Sequence, residues 1–175
     1  MDFPKNYLQS VRFEFDRYKT LGDKTFAQLD ASDIHWSYSK EDNSIALIVK
    51  HMVGNMLSRW TNFLTEDGEK PWRHREREFE APPESKEDMM VLWEKGWNCL
   101  FDALDSIDKD NFERTIRIRN EDHTIVDAVN RQLAHYANHV GQIVLLGKMI
   151  KGSDWVSLSI PKGSSEQFNA KMFKG

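Results

Sequence analysis

Apolar residues recur every three to four positions along four long stretches of this chain, and that period dictates helices before anything else is considered. In the first stretch, roughly residues 6–29, Leu8, Val11, Phe15, Tyr18, Phe26 and Leu29 fall on one face with charged residues between them. The second begins after Asp42 and Asn43 at Ser44 and carries Ile45, Ile48, Met52, Met56, Trp60 and Phe63 to about residue 65, a predicted length of about 30 Å. A third opens at the capping sequence Ser85-Lys86-Glu87-Asp88 and sets Met89, Leu92, Trp93, Trp97, Leu100, Phe101 and Leu104 on its apolar side. The fourth starts at Thr124-Ile125-Val126-Asp127, is the most apolar, and runs to Lys151 with Gly152 as its stop.

Four such segments in 175 residues predict one all-α domain over residues 1–175, with a core over 3–152 and an irregular C-terminal strap over 153–175 whose last residues fray. Two connections, about 66–84 and about 106–123, are too long for tight turns and predict crossovers. The second contains Thr115-Ile116-Arg117-Ile118-Arg119, whose alternation predicts a short hairpin arm.

Composition excludes several functions. A net charge of −4 lacks the basic excess that phosphate backbones demand, so nucleic acid is not an expected partner. No apolar run approaches a membrane span, and Met1-Asp2-Phe3-Pro4 has no basic and apolar leader. A single cysteine, Cys99, rules out an internal disulfide framework and fits a cytoplasmic setting. It falls on the apolar pattern of the third segment and reads as a small core residue.

His135 and His139 stand four apart on the fourth segment, so both imidazoles leave one helix face. Spacing alone is weak, because roughly one chain in six with this many histidines shows such a pair by accident. His51 is more informative. It interrupts the apolar run from Ile45 to Val53, where a histidine without a partner is costly. Either it is satisfied within the core, or it meets the other two across the helices and completes a three-imidazole site for a divalent ion. Arg131, one turn before His135, is a candidate for an anionic substrate; Asn55 and Gln142, about one turn after His51 and His139, are candidates to orient ligands. The run from Trp72 to Phe79 mixes Arg73, Arg75 and Arg77 with Glu76 and Glu78 and reads as an exposed, salt-bridged loop. His35, His74 and His123 fall in loops or at helix starts and are not expected ligands.

The stretch from His135 to Ile143, with its His-x-x-x-His pair running into Gly-Gln-Ile, resembles the last-helix signature of the DinB/YfiT-like superfamily, and His51 matches that superfamily's first ligand position. Asp67-Gly68-Glu69-Lys70-Pro71-Trp72 and Ser157-Leu158-Ser159-Ile160-Pro161 are similar to an uncharacterised branch of it. One departure is that Asn138 and Val140 flank His139 where relatives often carry a further histidine. The resemblance implies an up-down-down-up four-helix bundle, a homodimer, and one divalent metal on His51, His135 and His139, with nickel or zinc ahead of iron, cobalt or manganese. It also implies transfer of a low-molecular-weight thiol onto an electrophile. Metal-dependent hydrolysis and a non-catalytic dimeric metal-binding module in stress responses are the alternatives. Independently, six tryptophans and ten phenylalanines are many for one interior, which predicts some facing a partner subunit.

Overall fold

The computed structural model describes residues 3–173, and the protein is mostly helical. Helix α1 spans Phe3–Phe26, α2 Ile45–Trp60, α3 Lys86–Asp105 and α4 Ile125–Lys151; a short α5 follows at Ser165–Met172. Hydroxyl caps set three of the starts, as the sequence predicts: Ser44 Oγ accepts from Leu47 N, Ser85 Oγ from Asp88 N and Thr124 Oγ1 from Asp127 N. Gly152, with φ of 53°, terminates α4 in a conformation that side chains disfavour.

Between α3 and α4 lies the predicted arm. Strands β1 (Thr115–Ile118) and β2 (Glu121–Thr124) pair antiparallel, and their two-residue turn puts Arg119 and Asn120 at φ of 55° and 61°. The Asp67 carboxylate holds that turn by accepting from the backbone N–H groups of Arg119 and Asn120, at 2.8 and 2.7 Å.

A single buried apolar cluster draws on α1, α2, α3, α4 and the arm. At its centre, Trp93, Trp97, Phe15 and Tyr136 are fully buried and meet edge to face or tilted, with ring centroids 5.3 to 6.3 Å apart. Full burial of each such ring contributes about 2–3 kcal/mol. Two glycines let the helices close. A Cβ on Gly22 would sit 2.9 Å from Trp93 Cη2, and one on Gly96 3.0 Å from Met56 Sδ.

The contacts also fix relative direction. Tyr7 reaches Val126 and Asn130, and Phe15 meets Tyr136 further along both helices, so α1 and α4 run the same way. Gly96 lies against Val53 and Met56, and Cys99 against Thr61, so α2 and α3 also run together. By contrast Phe26 packs on Trp93 and Phe15 on Trp97, which opposes α1 to α3.

Two features differ from the sequence reading. Helix α2 ends at Trp60, about five residues early and near 24 Å in length, because Thr61 is extended and Asn62 adopts φ of 49°. The last turn is recruited for another job: Ser58 Oγ and Arg59 Nη1 donate to the carbonyl of Gly68, which draws the crossover back across the helix. The C-terminal strap is not irregular throughout. Its first part is packed, with Gln28 pairing both backbone groups of Val156 and with Trp155 covering Gly147, but α5 forms a short helix with no buried residue. The predicted fraying concerns in part residues 174–175, outside those described. No described helix is long and apolar enough to cross a membrane.

Candidate metal centre

Helix α2 and helix α4 cross where Trp60 and Asn55 meet Tyr136, and the histidines lie on this interface one turn away. Tyr136 is the fastener: its hydroxyl accepts from Trp60 Nε1 at 3.1 Å and donates to Asn55 Oδ1 at 3.0 Å, all within the buried interior. With that register set, His51 projects from α2 between His135 and His139 of α4. The ring centroids are 5.6 Å apart for His51 and His135, 4.9 Å for His51 and His139, and 4.6 Å for His135 and His139. One donor nitrogen from each of the three lies within 4.8 Å of the others, close enough to hold a metal ion.

The Nδ1 atoms of two of the rings have defined partners. His51 Nδ1 lies 2.8 Å from Glu78 Oε2 and His139 Nδ1 lies 3.0 Å from Gln142 Oε1. Both partners present an acceptor oxygen to Nδ1, a contact that matches the Nδ1–H tautomer, the one that keeps the Nε2 lone pair free. His135 Nε2 is buried without a hydrogen-bond partner among the described residues. Burial, reinforced by repulsion from His139 and His51, pushes the His135 pKa down to about 4. Burial lowers that of His139 as well, against the opposing hydrogen bond to Gln142. At neutral pH these two imidazoles are uncharged, which is the ligand form. An orphaned nitrogen, two neutral rings and free Nε2 lone pairs fit a divalent cation.

The carboxylate that reaches His51 was not legible as such in the sequence. The run from Trp72 to Phe79, read there as exposed, is so only in part. Arg75 and Glu76 do pair in solvent, but Glu78 is 6% exposed and the Arg73 side chain 2%. Arg73 Nε and Nη2 donate to Glu78 Oε1 and Oε2 at 2.8 and 3.1 Å. Burial works to raise the Glu78 carboxyl pKa, and the bonds from His51 and Arg73 outweigh it, leaving the group below its ordinary value and ionised. Phe79 stacks on the His51 ring at 4.7 Å. The short 3-10 helix Arg75–Phe79 that carries both residues is pinned by Lys50, whose Nζ donates to the carbonyls of Arg77 and Ala81 at 2.7 Å. A glycine one turn after a buried histidine, Gly54 after His51, was the available signal that something approaches α2 at this level.

Of the other sequence candidates, Gln142 touches His139, while Asn55 touches none of the three histidines, since it is committed to Tyr136. Arg131 is exposed on α4, with no polar partner among the described residues. Cys99 is half-buried, 3.6 Å from Thr61 Oγ1, on the wall of a groove of about 990 Å³ between α2 and α3, and burial raises its thiol pKa. None of the three histidines lines that groove. His35 bonds the Glu84 carbonyl, and neither it, His74 nor His123 joins the cluster.

Residues 2–164 match a family model described as a protein of unknown function, DUF1572. No curated protein and no solved structure matches the chain.

Proposed function

The chain belongs to the DUF1572 family, and we propose that it is a divalent-metal protein of the DinB/YfiT type, with His51, His135 and His139 as ligands. The observation that carries this reading is the convergence of three donor nitrogens from two helices within 4.8 Å. The parallel registers of α1 with α4 and of α2 with α3, opposed to one another, support an up-down-down-up four-helix bundle forming a single domain. An all-imidazole donor set favours nickel or zinc over the harder cations.

When bound, the ion supplies Lewis acidity, which lowers the pKa of a coordinated thiol or water. The chain's own contribution is to hold it and to leave coordination positions free, since no fourth His, Cys, Asp or Glu joins the described group. Burial keeps His135 and His139 unprotonated, so the site stays competent at neutral pH. With the superfamily resemblance, this supports transfer of a low-molecular-weight thiol onto an electrophile, with the exposed Arg131 on α4 as an anchor for the thiol's carboxylate. Exposed Tyr38, Leu145 and Met149, which line one surface cleft, support a homodimeric assembly.

Equilibrium dialysis against zinc and nickel tests the metal reading: about one ion per chain for the wild type, with marked loss in His51→Ala and in His135→Ala. Equal binding in all three ends it. Thiol consumption with a model electrophile, metal-loaded wild type against His139→Ala, tests the chemistry. Matching rates would remove the transferase reading and leave the metal centre standing.

A further inference from the structure

Every ligand of the proposed centre lies on α2 or α4, yet the crossover between α2 and α3 delivers a buried ion pair against one of them. We infer that Glu78 is the positioning residue for His51: it accepts the Nδ1 proton, fixes the ring's tautomer and rotation, and so turns Nε2 toward the centre before any metal arrives. This rests on the metal reading above.

The carboxylate is committed to this contact and to Arg73. Its two oxygens take three charge-assisted bonds, two from Arg73 and one from His51, at 2.8 to 3.1 Å. It is not among the residues whose donor atoms cluster with His135 and His139. Arg73 is itself held by Glu69, and Glu69 by Arg59 and Arg119, so the orienting group is anchored as far as the hairpin arm. The His51 ring is then fixed twice, at its edge by Glu78 and on its face by Phe79. Lys50, the residue before His51, ties down the same loop through two carbonyls, so ligand and orienting group are registered to one turn of α2. A carboxylate behind a ligating imidazole also raises the basicity of the free nitrogen.

Long-range proton–nitrogen NMR of metal-free wild type at about pH 8, above the ordinary imidazole range, reads the tautomer directly. His51 is expected as the Nδ1–H form, and Glu78→Ala is expected to lose that form or mix it with the other. Zinc titration should give a dissociation constant raised about 10- to 100-fold in Glu78→Ala, with a smaller loss in Glu78→Gln, whose amide oxygen still accepts from Nδ1. A wild-type His51 protonated on Nε2 overturns the inference, as does a wild type that binds zinc no more tightly than a zinc-binding Glu78→Ala. Should Glu78→Ala fail to fold, the wild-type tautomer and the Glu78→Gln affinity decide. A wild type with the expected tautomer that binds no zinc sinks the metal reading and leaves the positioning role intact.

Discussion

Gly54→Ala sets helix propensity against the Glu78 contact and is expected to weaken metal binding far more visibly than fold stability. Gly54 sits in the interior of α2, where replacement by alanine favours the helix by about 1 kcal/mol. The added Cβ would stand 2.7 Å from the carboxyl carbon of Glu78, and Oε1 would be nearer still. Ordinary contact begins near 3.4 Å, so the carboxylate must withdraw by roughly 0.7 Å or more, away from α2 and therefore away from His51 on the same helix. A bond of 2.8 Å from His51 Nδ1 is then stretched to the limit of hydrogen bonding. Losing a buried, charge-assisted bond costs about 1.5–3 kcal/mol, which outweighs the gain in helix propensity by about 1 kcal/mol. Urea unfolding of the metal-free protein should show that small net loss. Zinc titration should show an affinity about tenfold weaker, although no ligand has changed. Unaltered zinc affinity would refute the reasoning, because it would mean that Glu78 can move without consequence for His51.

Tyr136→Phe removes the hydroxyl that joins Trp60 Nε1 to Asn55 Oδ1 and leaves two buried groups unpaired; urea unfolding should record a loss of about 1–3 kcal/mol. Metal-free protein should lose stability as pH falls from the ordinary imidazole value toward about 4, because the unfolded chain binds a proton that buried His135 refuses. The full shift corresponds to about 3 kcal/mol, which solvent screening of this half-buried ring reduces to about 1–2 kcal/mol. The lowered carboxyl of Glu78 acts in the same direction further down, below the ordinary carboxylate value. Thermal melts that stay flat between the ordinary imidazole value and about 4 would contradict the burial of neutral His135. Light scattering at micromolar concentration should return the mass of a dimer, and a monomeric mass would contradict the proposed assembly.

Much of this was written in residue spacing. The starts of α2, α3 and α4 follow from Ser44, Ser85 and Thr124, because a hydroxyl cap is a local event that needs no tertiary context. The convergence of the three histidines was legible because a histidine inside an apolar stripe demands a partner, and His135 with His139 offered one. Gln142 followed from helical spacing. The same spacing misdirected at Asn55, since Tyr136 competes for it, and only the α2–α4 register decides which neighbour it serves. The end of α2 was lost for a similar reason: Phe63 continues the apolar pattern, while Ser58 and Arg59 turn the chain for the sake of Gly68. The hardest feature was Glu78. In sequence it is one acid among alternating arginines, the signature of a wet loop, and its burial depends on Arg73 neutralising it, on Lys50 clamping its loop and on the space left at Gly54. Its role was invisible until the crossover was placed against α2.

Anomalous diffraction from crystals grown with zinc, recorded on both sides of the zinc absorption edge, shows whether His51, His135 and His139 hold one divalent ion. One strong anomalous peak is expected between α2 and α4, about 2.0–2.1 Å from a ring nitrogen of each of the three histidines, with Glu78 bonded to His51 and not to the ion. Zinc located elsewhere, or no peak between the three rings, would contradict the three-histidine site.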